Sequence, residues 1–351
     1  MKQIMIKVLV SILIGSALIS YEVHAQQDPM YSQYMFNMTS INPAYAGVRE
    51  MLTMTALYRQ QWVGMEGAPT TLTLSLDAPI KKQKMALGVN IVSDKIGITE
   101  DLMINALYAY RVYFANRGVL SLGLQAGVNQ RSADYASVTT ATYYGGSADD
   151  PAFANSLRGF FPNFGFGAYY YSQRFFAGVG IPKMLKNNLR GDNQPTIDFT
   201  SFANRQSRHM FVSAGYSFDL NGDWSAKPSV MIKGVRGAPI EGDINCNLWW
   251  KNTLGAGLSY RTADAVIALI EFKPRKELHV GYAYDYTVSG LAGTNAGSHE
   301  IMLRYEPHAA RVKASQYQNR RFGNNKMSLR QKQKLQIKKR KAYQRKVSKQ
   351  K

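Results

Sequence analysis

The chain has one cysteine. Cys246 alone excludes an internal disulfide, and in an exported chain that argues against a small stapled fold. Beyond the N-terminal segment there is no stretch approaching about 18 consecutive apolar residues, so no helical membrane span is expected. Histidine is scarce: His209, His279, His299 and His308 follow the first 25 residues, with no H-x-x-H or C-x-x-C spacing to hold a metal. Gly178-Val-Gly180 lacks the G-x-G-x-x-G frame before a helix and is no phosphate loop. A barrel hydrolase would pair His279 with Ser213 or Ser259, but nothing singles out a nucleophile. No catalytic residue, metal or cofactor is therefore assigned, and a non-enzyme is expected. Acidic residues are missing altogether from 311–351, which holds 16 Lys or Arg. The net charge of +20 thus falls to +4 for residues 1–310, and the basicity belongs to the tail.

What is present begins with an export signal. Lys2 and Lys7 precede an apolar run, Val8 to Ile19, and Val23 and Ala25 frame a small-residue cleavage site. The mature chain is expected to start at Gln26. The reading divides the chain into a signal peptide (1–25), an N-terminal plug or periplasmic segment (26–50), a barrel (51–306) and a basic periplasmic tail (307–351).

From Met51 to Glu306 a two-residue rhythm repeats without a break in composition. Leu120, Leu122, Leu124, Ala126 and Val128 alternate with Ser121, Gly123, Gln125, Gly127 and Asn129. Leu72, Leu74 and Leu76 do the same against Thr71, Thr73 and Ser75. About fourteen strands are expected, near 51–59, 70–77, 84–93, 101–115, 117–130, 159–171, 173–181, 208–219, 223–234, 243–250, 252–261, 264–272, 276–287 and 298–306. Several match the ~9–11 residues of a tilted spanning strand. The mean hydropathy of -0.27 looks soluble, but a membrane barrel turns half of each strand to water. Joints after even strands are short (115–117, 172, 220–222, 273–275). The long ones (131–158, 182–207, 288–297) follow odd strands, as periplasmic turns and outer loops do.

These features give an all-β fold, a transmembrane outer-membrane barrel of about 14 antiparallel strands with both termini periplasmic. The 22 tyrosines fall near many strand ends, where an interfacial girdle would use them, although strand propensity explains them nearly as well. The inward positions read as small and mostly neutral, so the lumen must hold water or a plug. The segment QQDPMYSQYMFNMTSINPAYAGVRE has no period and is the candidate plug.

Isolated features have plain readings. Cys246 is a small packed hydrophobe. Asp94 with Lys95 is a loop-edge pair. Arg59, Gln60, Gln61 and Trp62 close the first strand and either anchor it at the membrane surface, the favoured reading, or bind a partner. In the tail, Arg330, Lys332, Lys334, Lys338, Lys339, Arg340, Lys341, Arg345 and Lys346 suit an anionic surface or an acidic partner. The export signal argues against nucleic acid. Peptidoglycan, lipid phosphates or an assembly ring remain.

QDPMYSQYMFNMTSINPAYAG, YRQQWVGMEGAPTTLTLSLDAP, LGVNIVSDKIG, LYAYRVYF and AGSHEIMLRYEP together resemble the PorP/SprF family of type IX secretion system outer-membrane proteins. The resemblance covers Gln27 to about Pro307 and leaves out the basic tail. It implies a barrel that assists export or surface attachment of cargo with a C-terminal secretion signal, such as gliding-motility adhesins. The implied partners are periplasmic ring lipoproteins, the translocon, membrane lipid and lipopolysaccharide. Asp28, Pro29, Tyr34, Asn37, Asn42, Pro43, Tyr45 and Gly47 are its signature positions, and they are expected to shape the plug. A general porin or solute channel is the alternative.

Overall fold

The computed structural model describes residues 30–80, 83–114, 118–134, 157–185, 208–235 and 238–307. The strands are β1 Thr53–Gln60, β2 Thr70–Ile80, β3 Met85–Ile96, β4 Thr99–Tyr113, β5 Val119–Ala133, β6 Leu157–Tyr171, β7 Phe175–Ile181, β8 His209–Tyr216, β9 Phe218–Asp219, β10 Trp224–Val235, β11 Glu241–Trp250, β12 Leu254–Arg261, β13 Ala265–Phe272, β14 Leu278–Thr287 and β15 Ser298–Tyr305. β8 and β9 are two pieces of one strand. Gly215 faces Ser229 and Phe218 faces Ala226, so the register against β10 is continuous. The gap falls opposite Lys227 and Pro228, and Pro228 has no N–H to donate. Each strand pairs antiparallel with the next, and β15 pairs with β1. The result is a closed barrel of fourteen antiparallel strands, which leaves no sheet edge unpaired.

The alternation in sequence decides which side faces out. On β5, Leu122, Leu124 and Val128 are exposed while Ser121, Gln125 and Asn129 are buried. On β2, Leu72, Leu74 and Leu76 are exposed while Thr71, Thr73, Ser75 and Asp77 are buried. An outer wall of Leu, Val, Ile and Phe has no stable home in water and fits a bilayer. Outward aromatic residues ring both ends. Phe175, Trp224, Trp250, Phe272 and Tyr305 lie at one, and Tyr58, Phe160, Tyr260 and Tyr286 near the other.

The two ends differ. At the first end β2–β3, β4–β5, β6–β7, β9–β10, β11–β12 and β13–β14 are joined by short connections of three to five residues. In the three-residue β11–β12 turn, Lys251 and Asn252 both take positive φ (48° and 54°). At the opposite end the segments 61–69, 134–156, 182–208 and 288–297 are longer, while Gly97–Ile98 and 262–264 are tight. Parts of these connections (81–82, 115–117, 135–156, 186–207 and 236–237) lie outside the described residues, as do the expected signal peptide and the basic tail.

Met30 to Glu50 runs through the inside of this wall. Met30 meets Lys233 near the long-loop end of β10, with Lys233 Nζ 3.0 Å from Met30 Sδ. Gly47 meets Asp77 near the short-turn end of β2. The core packs between this segment and the wall, where Tyr31, Tyr34, Met38 and Ile41 contact Tyr169, Phe211 and Met231.

Five expectations change as a result. The segment before β1 does not lie at the short-turn end. Only its last residues do, and Met30 sits at the far mouth because the chain crosses the lumen. Met30 and the end of β15 therefore lie at opposite mouths of the barrel. The inner wall carries more charge than expected. Arg59, Arg111, Arg261, Arg304, Asp243, Asp285, Glu271 and Glu300 are all buried on it. Arg59 is 2 % exposed inside the lumen and is no surface anchor. Asp94 lies within β3 and accepts a hydrogen bond from Thr71 (2.6 Å), because β3 and β4 run on to a tight turn at Gly97–Ile98. Cys246 is exposed on the outer face of β11, not packed.

Candidate functional site

The site is the contact between residues 30–50 and the inner wall. Local sequence explains the path of this segment. Three single-turn 3-10 helices, Tyr34–Phe36, Met38–Ser40 and Pro43–Tyr45, replace any longer helix, with Pro43 opening the last. Asn42 caps that helix by accepting the N–H of Ala44 (3.0 Å). A compact path of this kind leaves many backbone groups free of one another, and the wall satisfies several of them.

At the long-loop mouth the contacts are ionic. Glu300 accepts the backbone N–H groups of Ser32 (2.8 Å) and Gln33 (2.7 Å) with its two carboxylate oxygens. The Ser32 hydroxyl donates to Asp285 (2.6 Å) and accepts from Arg59 (2.8 Å). Arg59 also pairs with Asp285 (2.8 Å) and Glu300 (3.4 Å). Arg261 joins Asp285 (3.4 Å) to Asp243 (3.4 Å) and reaches the carbonyl of Tyr31 (3.3 Å). Five wall strands thus supply two arginines and three carboxylates that hold three residues. Charges buried this deeply persist only when paired and hydrogen-bonded; removing one partner costs about 3–5 kcal/mol. Nearby, burial pushes the Tyr34 hydroxyl above its usual range, aided by the negative charge of Asp243.

Midway the contacts are neutral. Asn37 accepts from Thr39 (3.0 Å) and Ser75 (3.1 Å), and Asn90 donates to Ser40 (3.0 Å). The Tyr31 hydroxyl accepts from Thr73 (3.1 Å), and the Tyr34 hydroxyl shares a bond with Ser229 (3.3 Å).

Towards the short-turn end the fit is steric. Ile41 to Ala44 lies on glycines of β5, β6 and β7. A Cβ at Gly123 would lie 2.1 Å from Ala44 N, at Gly167 2.0 Å from Asn42 Oδ1, and at Gly180 2.2 Å from Ile41 O. These glycines are therefore a seat for backbone, and no other residue allows the same approach. Asn42 Nδ2 donates to the carbonyl of Ala168 (3.1 Å). Tyr45 meets Tyr169 edge-on, with centroids 5.2 Å apart. Gly47 turns at φ 68° and donates its N–H to Asp77 (2.7 Å).

A second ionic group closes this end. Arg49 pairs with Glu306 (3.0 Å), and Arg304 joins Glu306 (3.1 Å) to Glu271 (3.4 Å). His279 Nδ1 lies 2.7 Å from Arg304 Nη2, so Nδ1 accepts and Nε2 carries the proton towards Glu306, 3.5 Å away. Burial alone would raise the Glu306 carboxyl. Arg49, the bond from His279 and Arg304 outweigh it and hold the group well below the usual carboxylate range. At the rim, burial lowers Lys273 to about 8 against the pull of Glu271, with Lys227, Arg49 and Arg304 adding repulsion.

Of the signature residues, Tyr34, Asn37, Asn42, Pro43, Tyr45 and Gly47 all lie in this segment, and all but the half-buried Tyr45 are buried. Asp28, Pro29 and the basic tail residues Arg330 to Lys346 lie outside the described residues. Sequence reasoning missed Arg59, Arg261, Asp285, Glu300 and the glycine seat. A usable signal existed: charged residues at inward positions of a barrel strand require inward counter-charges. Among the described residues no group of three metal-ligating side chains occurs.

The model of a protein family described as type IX secretion system membrane protein PorP/SprF matches residues 23–305. No curated protein sequence matches the chain. Among solved structures, the Acinetobacter baumannii outer membrane protein Omp33 is similar at 9 % identity and a TM-score of 0.42, over 73 % of this chain and 98 % of its own. A Pseudomonas aeruginosa FadL homologue is similar at 12 % identity and 0.40, over 73 % and 89 %. The KdgM porin in complex with disordered oligogalacturonate is similar at 7 % and 0.35, over 73 % and 99 %. Likeness this distant carries no argument, and the barrel rests on its own strand ladder.

Proposed function

The chain belongs to the type IX secretion system membrane protein PorP/SprF family, and from that premise we propose that it is a non-enzymatic outer-membrane component of this export machinery. It assists export or surface attachment of adhesin cargo bearing a C-terminal secretion signal. It works beside periplasmic ring lipoproteins and the translocon, within lipid and lipopolysaccharide. The short-turn end faces the periplasm, following the usual arrangement of such barrels. The basic tail, from Arg330 to Lys346, offers positive charge to an acidic or phosphate-bearing partner there.

The observation that carries the reading is the occupied lumen. A general porin needs an open, water-filled path. Here the chain's own residues 30–50 run from one mouth to the other and are bonded to the wall at both. A barrel filled in this way serves as an anchored surface for partners rather than a solute conduit. The test is crosslinked recovery from native membranes, with the full chain and with residues 311–351 removed. Secretion components should come with the full chain and weaken with the truncated one. Recovery of a lone monomer that conducts solutes overturns the reading in favour of a porin.

A further inference from the structure

Arg111 is the exception among the buried arginines. Arg59, Arg261 and Arg304 each have carboxylates between 2.8 and 3.4 Å. Arg111, on the inner face of β4, is 1 % exposed, yet Nε, Nη1 and Nη2 have no hydrogen-bond partner. No ion pair reaches it among the described residues. Its neighbours repeat the pattern. Ser121 stands directly across on β5, fully buried, with its hydroxyl unpartnered. Gln83, in the β2–β3 turn, is 3 % exposed with Nε2 unpartnered. The turn is fixed beside Arg111, because the Arg111 N–H donates to the carbonyl of Lys84 (2.7 Å) and the Tyr113 hydroxyl to that of Gln83 (2.9 Å).

Every free group in this cluster is able to donate: a guanidinium, a primary amide and a hydroxyl. Asp77 lies within reach of the Arg111 charge but accepts the N–H of Gly47 (2.7 Å) and makes neither a hydrogen bond nor an ion pair with the guanidinium. Gly47 covers the cluster from the luminal segment. A Cβ there would lie 2.5 Å from Arg111 Nη2, so no side chain of that segment supplies an acceptor. An arginine does not escape by losing its proton. Leaving all three of its nitrogens buried without an acceptor is costly.

We infer that Arg111, Ser121 and Gln83 hold a small inorganic monoanion of halide size beneath the Gly47 corner. One guanidinium neutralises one negative charge, which disfavours phosphate. Burial under the luminal segment disfavours a lipid headgroup. The anion supplies the acceptor that these donors lack, so its binding favours the state with Gly47 seated.

The test uses the full-length protein in detergent at constant ionic strength. Thermal unfolding is followed in chloride, in bromide and in bulky gluconate. The midpoint should be higher in both halides than in gluconate by several degrees. Arg111→Met should abolish that gap, Ser121→Ala should narrow it, and Arg174→Gln, which alters an exposed pair with Asp219, should leave it intact. Bromide-soaked crystals of the unaltered protein should show an anomalous peak beside the Arg111 guanidinium, which decides the matter if Arg111→Met fails to fold. Absence of both the halide gap and the bromide peak in the unaltered protein overturns the inference. An equal gap in Arg111→Met means an adventitious ion only and overturns it as well.

Discussion

The two halves of the luminal segment are held by different physics. At the long-loop mouth, Tyr31 to Gln33 is gripped by charges from β1, β12, β14 and β15. Lower down, Ile41 to Ala44 rests on glycines of β5, β6 and β7. The upper grip reads backbone N–H and C=O groups together with one hydroxyl, so it depends on charge and hydrogen-bond geometry. The lower seat reads shape, so it tolerates pH and salt but not an added methyl. A segment secured in two independent ways can lose one contact set and keep the other.

Changes that act on one half alone separate the two. The largest effect is expected from Gly123→Leu. Its Cβ alone would lie 2.1 Å from the backbone of Ala44, so Ile41 to Ala44 must leave the wall. Bilayer recordings should show conductance that the unaltered protein lacks, and an unchanged trace would dissolve the steric half of the comparison. Next comes Arg59→Met, which strips Glu300 of its arginine and leaves Asp285 with Arg261 only. A loss of about 3–5 kcal/mol is expected in denaturant unfolding. A loss below about 1 kcal/mol would show that the grip is decorative.

Asn42→Ala removes a helix cap and the bond to Ala168, and should cost about 1–2 kcal/mol. The smallest effect concerns Glu306. Its carboxyl is held below the ordinary range in the fold, so the unfolded chain takes up the proton first as pH falls. The stability it gives is complete above the ordinary value of 4.5 and drains away below it. Glu306→Gln should flatten the decline of the melting temperature below about pH 4.5, the side on which the depressed carboxyl loses its contribution.

The strands were legible because alternation is a local signal: Leu122, Ala126 and Asn129 announce their faces without any partner. The charge grip was not, because its pairs lie far apart in sequence. Arg59 meets Asp285 across 226 residues and Glu300 across 241. The seat was hidden for another reason. Gly123, Gly167 and Gly180 read as lumen-facing small residues, and only the path of residues 41–44 shows what they admit. That path has no periodicity, since three isolated 3-10 turns impose none. For the same reason both ends of the segment seemed to belong at the short-turn mouth.

The crossing itself is open to a direct measurement. In a Cys246→Ser background, Met30→Cys and Pro307→Cys are made separately and treated with a membrane-impermeant maleimide on intact cells, then on cells with a permeabilised outer membrane. One position should be labelled on intact cells and the other only after permeabilisation. If both label from the same side, the segment does not thread the barrel, and the account of a lumen filled from mouth to mouth is contradicted.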